Sequence, residues 1–165
     1  MKVIKKQNNS KMCVICGMDN KAGVNAQFYE MEDNSVCGLF KFKEEHQSYP
    51  GRVHGGMISA MLDELACRAY WVLEPRKLGV TLDLQTKYRK PVPYGEPLKG
   101  LGKITKVTNR FFVAECSILN DENEVLAEGE IRYLIMPDEK ITSASYDDEM
   151  CYYIADDVKE IDIWD

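Results

Sequence analysis

Residues 54–73 read HGGMISAMLDELACRAYWVL, and this stretch decides what the rest of the chain must build. Between Met57 and Leu73 the only polar residues are Ser59, Asp63, Glu64 and Arg68, and Pro75 ends the run. The spacing predicts a helix, roughly 25 Å long at about 1.5 Å per residue. A helix that is apolar on almost every side must be buried, so other elements have to wrap around it.

The flanking sequence supplies those elements. Upstream, VNAQFYEMEDNSVCGLFKFK (24–43) alternates on either side of Asp33-Asn34, a turn-forming pair, and predicts a hairpin. Downstream, GVTLDLQTKYRKPV, LKGLGKITKVT, FFVAECSIL and VLAEGEIRYLIM alternate in the same way, separated by PVPYGEP, Asn109-Arg110 and NDENE. Two strands, one helix and four strands imply an α+β domain over residues 24–137, an antiparallel sheet of about six strands around one long helix. Residues 1–23 form a leader containing Cys13-Val14-Ile15-Cys16. Residues 138–165 carry ten acids against Lys140 and Lys159, with Tyr146, Met150, Tyr153, Ile154, Val158 and Ile161 at helical spacing. That pattern predicts an amphipathic helix that docks on the domain or on a partner subunit.

Composition narrows the function. A chain of 165 residues, 45% apolar and 29% charged, fits one globular domain with a packed core. The net charge is −6, and with the tail set aside residues 1–137 sum to only +2, so no concentrated basic face for nucleic acid is expected. No run approaches the roughly 18 apolar residues of a membrane span, and MKVIKKQNNSK lacks the apolar core of a signal peptide, which points to the cytoplasm. Six cysteines in helix-like and strand-like text read as free thiols.

Asp63 is the residue that needs a reason. Glu64 and Arg68 are an i, i+4 pair, whereas the neighbours of Asp63 one turn away are Ser59 and Cys67. Burying an unpaired carboxylate is costly or raises its pKa. A hydrogen-bonded structural Asp is one explanation, and His54-Gly55-Gly56 at the helix start suggests another. There the first N–H groups have no intrahelical partner, the macrodipole is positive, and glycine lets a ligand come close to the backbone. Such a corner can hold a carbonyl oxygen that becomes an oxyanion. Asp63 lies two turns further on, about 10 Å past Gly56. One reacting carbon cannot touch both in a single chain, but a second, antiparallel copy of the helix closes the gap. The geometry asks for a dimer with shared sites.

VHGGMISAMLDELA followed by GVTLDLQTKYRKPVPYGE resembles the hotdog-fold acyl-CoA thioesterases, in the phenylacetate-type branch of the hydroxybenzoyl-CoA thioesterase superfamily. The similarity rests on an H-G-G-x6-D helix motif and on a strand ending Y-x-x-P-x-x-x-G, here Tyr88, Pro91 and Gly95. It implies a hotdog fold, Asp63 as nucleophile or as general base on water, the Gly55 N–H polarising the thioester carbonyl, Thr81 positioning water, and His54 shaping the turn or contacting substrate. It also implies a homodimer or a pair of dimers. Some relatives carry an Asn six residues before the His; Ser48 stands there, next to Gln47. Ser48 and Gly56 are candidate substrate contacts, and Lys87, Arg89 and Lys90 are candidates for the coenzyme A phosphates.

Cys13-Val14-Ile15-Cys16-Gly17 resembles a C-x-x-C-G leader found before many hotdog domains, with Asn20 and Gly23 in step. As a zinc site it supplies two thiolates and needs two further ligands; with no second C-x-x-C and only two His in the chain, a structural leader is favoured and no metal or cofactor is expected. The chain has no G-x-S-x-G, P-loop or H-E-x-x-H, and Gly100-Leu101-Gly102 lacks the third glycine of a dinucleotide fingerprint. Hydrolysis of an acyl-CoA thioester is therefore weighed against a non-catalytic acyl-CoA-binding hotdog acting as sensor or scaffold. A hotdog hydratase is disfavoured because no His follows Asp63 on the helix.

Overall fold

A computed structural model describes residues 1–163 of the chain. In chain order the elements are β1 (Val3–Lys6), β2 (Gln27–Met31), β3 (Val36–Phe40), β4 (Gln47–Tyr49), β5 (Arg52–Val53), α1 (Gly55–Leu73), β6 (Gly79–Tyr88), β7 (Leu98–Val107), β8 (Phe111–Leu119), β9 (Val125–Ile135) and the one-turn α2 (Tyr146–Glu149). Seven strands form one antiparallel sheet in the order β1-β2-β3-β7-β8-β9-β6, while β4 and β5 make a small separate hairpin just before α1. The β2–β3 turn falls at Asp33-Asn34 as expected, with Asn34 in the left-handed region (φ 62°) and Asp33 Oδ1 accepting the Ser35 N–H at 3.1 Å. This is the hotdog fold.

The buried side of α1, from Ile58, Met61, Leu62, Leu65 and Ala66 to Ala69 and Tyr70, packs on one face of the sheet against Phe28, Val36, Phe112, Ala114, Ile118 and Ile131. Each such side chain contributes on the order of 1.5–3 kcal/mol by leaving water. The helix sits very close to β7 because Gly100 and Gly102 face it. A Cβ on Gly102 would lie 2.7 Å from the Leu65 carbonyl oxygen, and one on Gly100 would lie 2.6 Å from Leu65 Cδ1. The Gly-Leu-Gly of this strand therefore makes room for a helix.

Two expectations are corrected. The leader is not separate from the sheet: β1 pairs antiparallel with β2 (Lys6 opposite Tyr29) and adds a seventh strand. The tail is not one amphipathic helix. Apart from a 3₁₀ turn at Asp138–Lys140, its helix is confined to Tyr146–Glu149, where Ser145 Oγ caps the Asp148 N–H at 3.2 Å. Beyond it the chain pairs with the leader through Asn9 and Tyr152 and through Lys2 and Glu160. Met150 buries against Trp71 and Leu78, and Ile161 and Ile163 bury against Tyr29, Met31 and Leu119, whereas Tyr153 stays 60% exposed. Backbone pairing and separate apolar sockets, together with the low helix propensity of an Asp-rich segment, outweigh the helical spacing of its apolar residues. No helix among the described residues is long and apolar enough to cross a membrane, and all six cysteines are free thiols.

Candidate active site

The start of α1 is held from both sides. Buried His46 accepts the Lys43 N–H at Nδ1 (3.0 Å), so Nε2 carries the proton to the Ala22 carbonyl (2.7 Å), and the His46 carbonyl in turn accepts the His54 N–H (2.8 Å). His54 is the N-cap of α1, its Nδ1 accepting the Gly56 N–H at 2.9 Å. That consumes one of the unpaired donors of the first turn, while the Gly55 N–H at the first helical position has no intrahelical acceptor. On the other side Tyr88, at the end of β6, donates its hydroxyl to the Gly55 carbonyl (3.0 Å) and lies 2.9 Å from Ser59 Oγ, which is 3.0 Å from Thr86 Oγ1. The first turn of the helix is thus tied to β6 by a run of hydroxyls.

Two turns along α1, Asp63 receives a hydrogen bond from Thr81 Oγ1 at Oδ1 (2.9 Å). A β-bulge makes this contact. Thr81 is paired with Tyr133 and Asp83 with Arg132, leaving Leu82 as an extra residue on β6. The helix-facing positions of β6 are accordingly Thr81 and then, three residues on, Leu84, followed by Thr86 and Tyr88 at the usual spacing of two. Tyr133 donates to the Asp63 carbonyl at 3.0 Å. Its ring stacks on Phe112 (5.0 Å, 7°), which stacks on Tyr70 (4.1 Å, 15°), so the hydroxyl is aimed by a rigid aromatic column. Burial pushes the Asp63 carboxyl above the ordinary carboxylate range; the hydrogen bond from Thr81 and the Tyr133 hydroxyl oppose this, and the charge of Glu64 adds to it. Burial likewise pushes the Tyr133 phenol upward, which keeps it a donor.

The sequence-derived candidates fall into three groups. Asp63 and Thr81 come together, and His54, Gly55 and Gly56 form the helix start, but Asp63 is eight residues past Gly55, about 12 Å along the axis. Lys87 lies 3.9 Å from Glu128 and lines a groove of about 680 Å³ on the outer face of the sheet, which none of Gly55, Asp63 and Thr81 lines. Arg89 pairs with Glu128, and Lys90 with Glu124 at 2.7 Å. Ser48 is exposed on β4, and none of its hydrogen bonds reaches Asp63, Gly55 or His54 among the described residues. Sequence reading missed Tyr133, Ser59 and Thr86 and assigned no role to Tyr88. For Thr86 and Tyr88 the available signal was hydroxyl-bearing residues at alternate positions of the strand that follows the helix.

Comparison with known proteins places this arrangement. Residues 50–127 match the model of the thioesterase superfamily. The match covers just under half of the chain. An uncharacterized protein of Schizosaccharomyces pombe is 33% identical over 90 residues, covering 54% of this chain and 46% of that protein. The acyl-coenzyme A thioesterase THEM4 of Rattus norvegicus is 26% identical over 101 residues (61% and 43%), and the Mus musculus acyl-coenzyme A thioesterase 13 is 26% identical over 95 residues (57% and 67%). The chain spans less than half the length of the fission-yeast and rat relatives. Among solved structures, a thioesterase superfamily protein superposes with a TM-score of 0.68 at 28% identity, covering 74% of this chain and 63% of that one. A hypothetical thioesterase from Streptococcus pneumoniae, crystallised with coenzyme A, superposes at 0.61 and 21% identity (68% and 86%), a likeness of fold. Within the matched residues lie His54, Gly55, Asp63, Thr81 and Tyr88, while Ser48, Tyr133 and the Cys13–Cys16 leader lie outside them.

Proposed function

We propose that the protein hydrolyses acyl-CoA thioesters at a site completed by a second copy of the chain. The observation that carries this reading is a partly buried carboxylate, Asp63, held by Thr81 on the edge strand of the sheet, on the same helix as a start whose Gly55 N–H is open to a ligand. Among the described residues strand β6 has no neighbour on its outer side; it is ten residues long and exposes Leu82 (50%) and Tyr88 (55%). An unprotected edge of this length invites pairing with another strand. Antiparallel pairing of two β6 edges would set the two α1 helices antiparallel, with Asp63 of one copy facing Gly55 of the other, and would remove the separation of about 12 Å.

In that setting the Gly55 N–H and the positive helix end polarise the thioester carbonyl and stabilise the oxyanion. Thr81 occupies Oδ1 of Asp63, which leaves Oδ2 to take a proton from water as it attacks the acyl carbon; the coenzyme A thiolate then departs. The raised affinity of Asp63 for a proton suits a general base. Arg89 and Lys90 sit just past Tyr88, at the Gly55 end of β6, and are placed to exchange their carboxylate partners for phosphate. Lys87, directed to the outer face, is the weakest member of that trio. The names of the thioesterase 13 and THEM4 relatives support acyl-CoA as the substrate class. The test is thiol release by the purified protein over short, medium, long-chain and aryl acyl-CoAs. Tight acyl-CoA binding with no thiol released would favour the non-catalytic reading instead.

A further inference from the structure

The leader turns sharply at Cys13-Val14-Ile15-Cys16-Gly17. The Gly17 N–H donates to the Cys13 carbonyl at 2.8 Å, and a Cβ on Gly17 would lie 2.4 Å from that oxygen, so only glycine permits the turn that brings the two thiols together. The Ile15 N–H donates to Cys13 Sγ (3.3 Å). Ser10 Oγ accepts the Cys13 N–H (3.1 Å) and lies 3.2 Å from Cys16 Sγ. Facing this turn, α1 presents Glu64, with Oε2 3.7 Å from Cys13 Sγ and Oε1 accepting from Arg68 Nε at 2.8 Å. The two sulfurs and a carboxylate oxygen of Glu64 all lie within 4.8 Å of one another.

We propose that Cys13, Cys16 and Glu64 form a zinc-type metal site that clamps the leader to α1, with a fourth position open to solvent beside half-buried Cys13. The sequence offered two ligands; the fold brings the third from the helix. Zinc bonds of about 2.3 Å to sulfur and about 2.1 Å to oxygen place tetrahedral ligand atoms roughly 3.5–3.8 Å apart. The observed spacing therefore closes around the ion with donor shifts of about 1 Å or less, within the reach of Cys and Glu side-chain torsions. Two thiolates and one carboxylate carry three negative charges, and a divalent ion together with buried Arg68 balances them. By holding Oε1, Arg68 orients Glu64 and leaves Oε2 for the metal, the supporting role that outer partners of metal-binding carboxylates play. Paired thiolates select a soft or borderline ion such as zinc over calcium or magnesium. None of these groups touches Asp63, Thr81 or Gly55 through a hydrogen bond, so the site stands or falls independently of the thioesterase reading.

The test uses the full chain, purified with a non-chelating reductant. The expected result is about one zinc per chain by plasma mass spectrometry, and a thiolate-to-cobalt charge-transfer band in the near ultraviolet when Co²⁺ replaces it. Cys13→Ser and Cys16→Ser should abolish the band, Glu64→Gln should weaken metal affinity by at least about tenfold, and Cys151→Ser, at an exposed thiol of the tail, should keep both signals. Reduced parent protein that takes up neither zinc nor cobalt overturns the proposal whatever the variants do, and so does full metal retention by Cys13→Ser.

Discussion

Replacing Asp63 by Asn separates a catalytic carboxylate from a structural one. The Asn carbonyl can accept the Thr81 hydroxyl as Oδ1 now does at 2.9 Å, and the bond from Tyr133 goes to the backbone carbonyl, so neither contact requires the charge. What disappears is the proton acceptor at Oδ2. A general base contributes about 10²–10⁴ to rate, so kcat on the best acyl-CoA should fall at least about a hundredfold, equivalent to about 2.7 kcal/mol of barrier. Stability should move the other way. Because burial raises the folded-state pKa of Asp63, the folded protein binds this proton more tightly than the unfolded chain does, and ionisation at neutral pH works against folding. Asp63→Asn should therefore melt no lower than the parent at pH 7. Any gain should shrink as pH falls through the raised pKa and vanish below the ordinary Asp value of about 4. Thiol-release kinetics and thermal melts from pH 4 to about 8 measure both. A well-folded Asp63→Asn protein with near-parental turnover refutes the assignment, and one that loses both fold and activity points to a structural carboxylate.

For the parent enzyme, kcat/KM should fall on the acid side with a midpoint above about 4, since the free carboxylate must be ionised to act; a flat profile down to that pH counts against Asp63 as base. Gly55→Val should lower kcat by about 10²–10³, because a side chain there meets Tyr88 (Cβ to hydroxyl 3.2 Å) and obstructs the N–H aimed at the carbonyl; unchanged turnover would move the oxyanion site elsewhere. Sedimentation should show a dimer or larger assembly at micromolar concentration, and a monomer that still turns over would end the shared-site proposal. Gly102→Ala should lower stability by about 1–3 kcal/mol in denaturant melts, given a Cβ 2.7 Å from the Leu65 carbonyl; a silent substitution would mean the helix slides freely over β7.

Much of the fold could be read from periodicity because its elements are long and strongly patterned. The apolar run ending before Pro75, the alternation on either side of Asp33-Asn34 and the four late strands all recur in the structure. What failed was short or depended on pairing. Val3–Lys6 is four residues with two lysines, too brief to announce a strand, and it becomes one because β2 offers an edge. The tail matched a helical period, yet its side chains are placed by sockets on different parts of the domain and by backbone partners in the leader, which no local pattern encodes. In the candidate site, Asp63 stood out because burying a lone carboxylate demands a reason. Tyr133 did not, because an inward Tyr on a strand looks like any core aromatic until its hydroxyl is seen to end at Asp63. The basic residues of 87–90 were legible as charges, but their carboxylates on or beside β9 are set by register rather than by nearby sequence.

The extra residue at Leu82 makes alignment of the site a matter of counting. Thr81 faces Asp63 while Thr86 and Tyr88 face the helix start only because one unpaired residue changes the parity of β6 between them. Pairing Leu82 into the ladder with β9 would delete no group that touches the carboxylate or the helix start, yet it would put the two ends of the strand out of phase, turning either the Thr81 hydroxyl or the Thr86–Tyr88 pair to the opposite face, whereas a strand without Leu82 would keep Thr81, Leu84, Thr86 and Tyr88 on one face by ordinary alternation. A chain can thus lose this site through a slip of register at a residue whose identity is irrelevant to it, and can tolerate almost any side chain at the same place. For a reader comparing such sequences, the step from Thr81 to Leu84, odd with the bulge and even without it, carries more meaning than the identity of the residue in between.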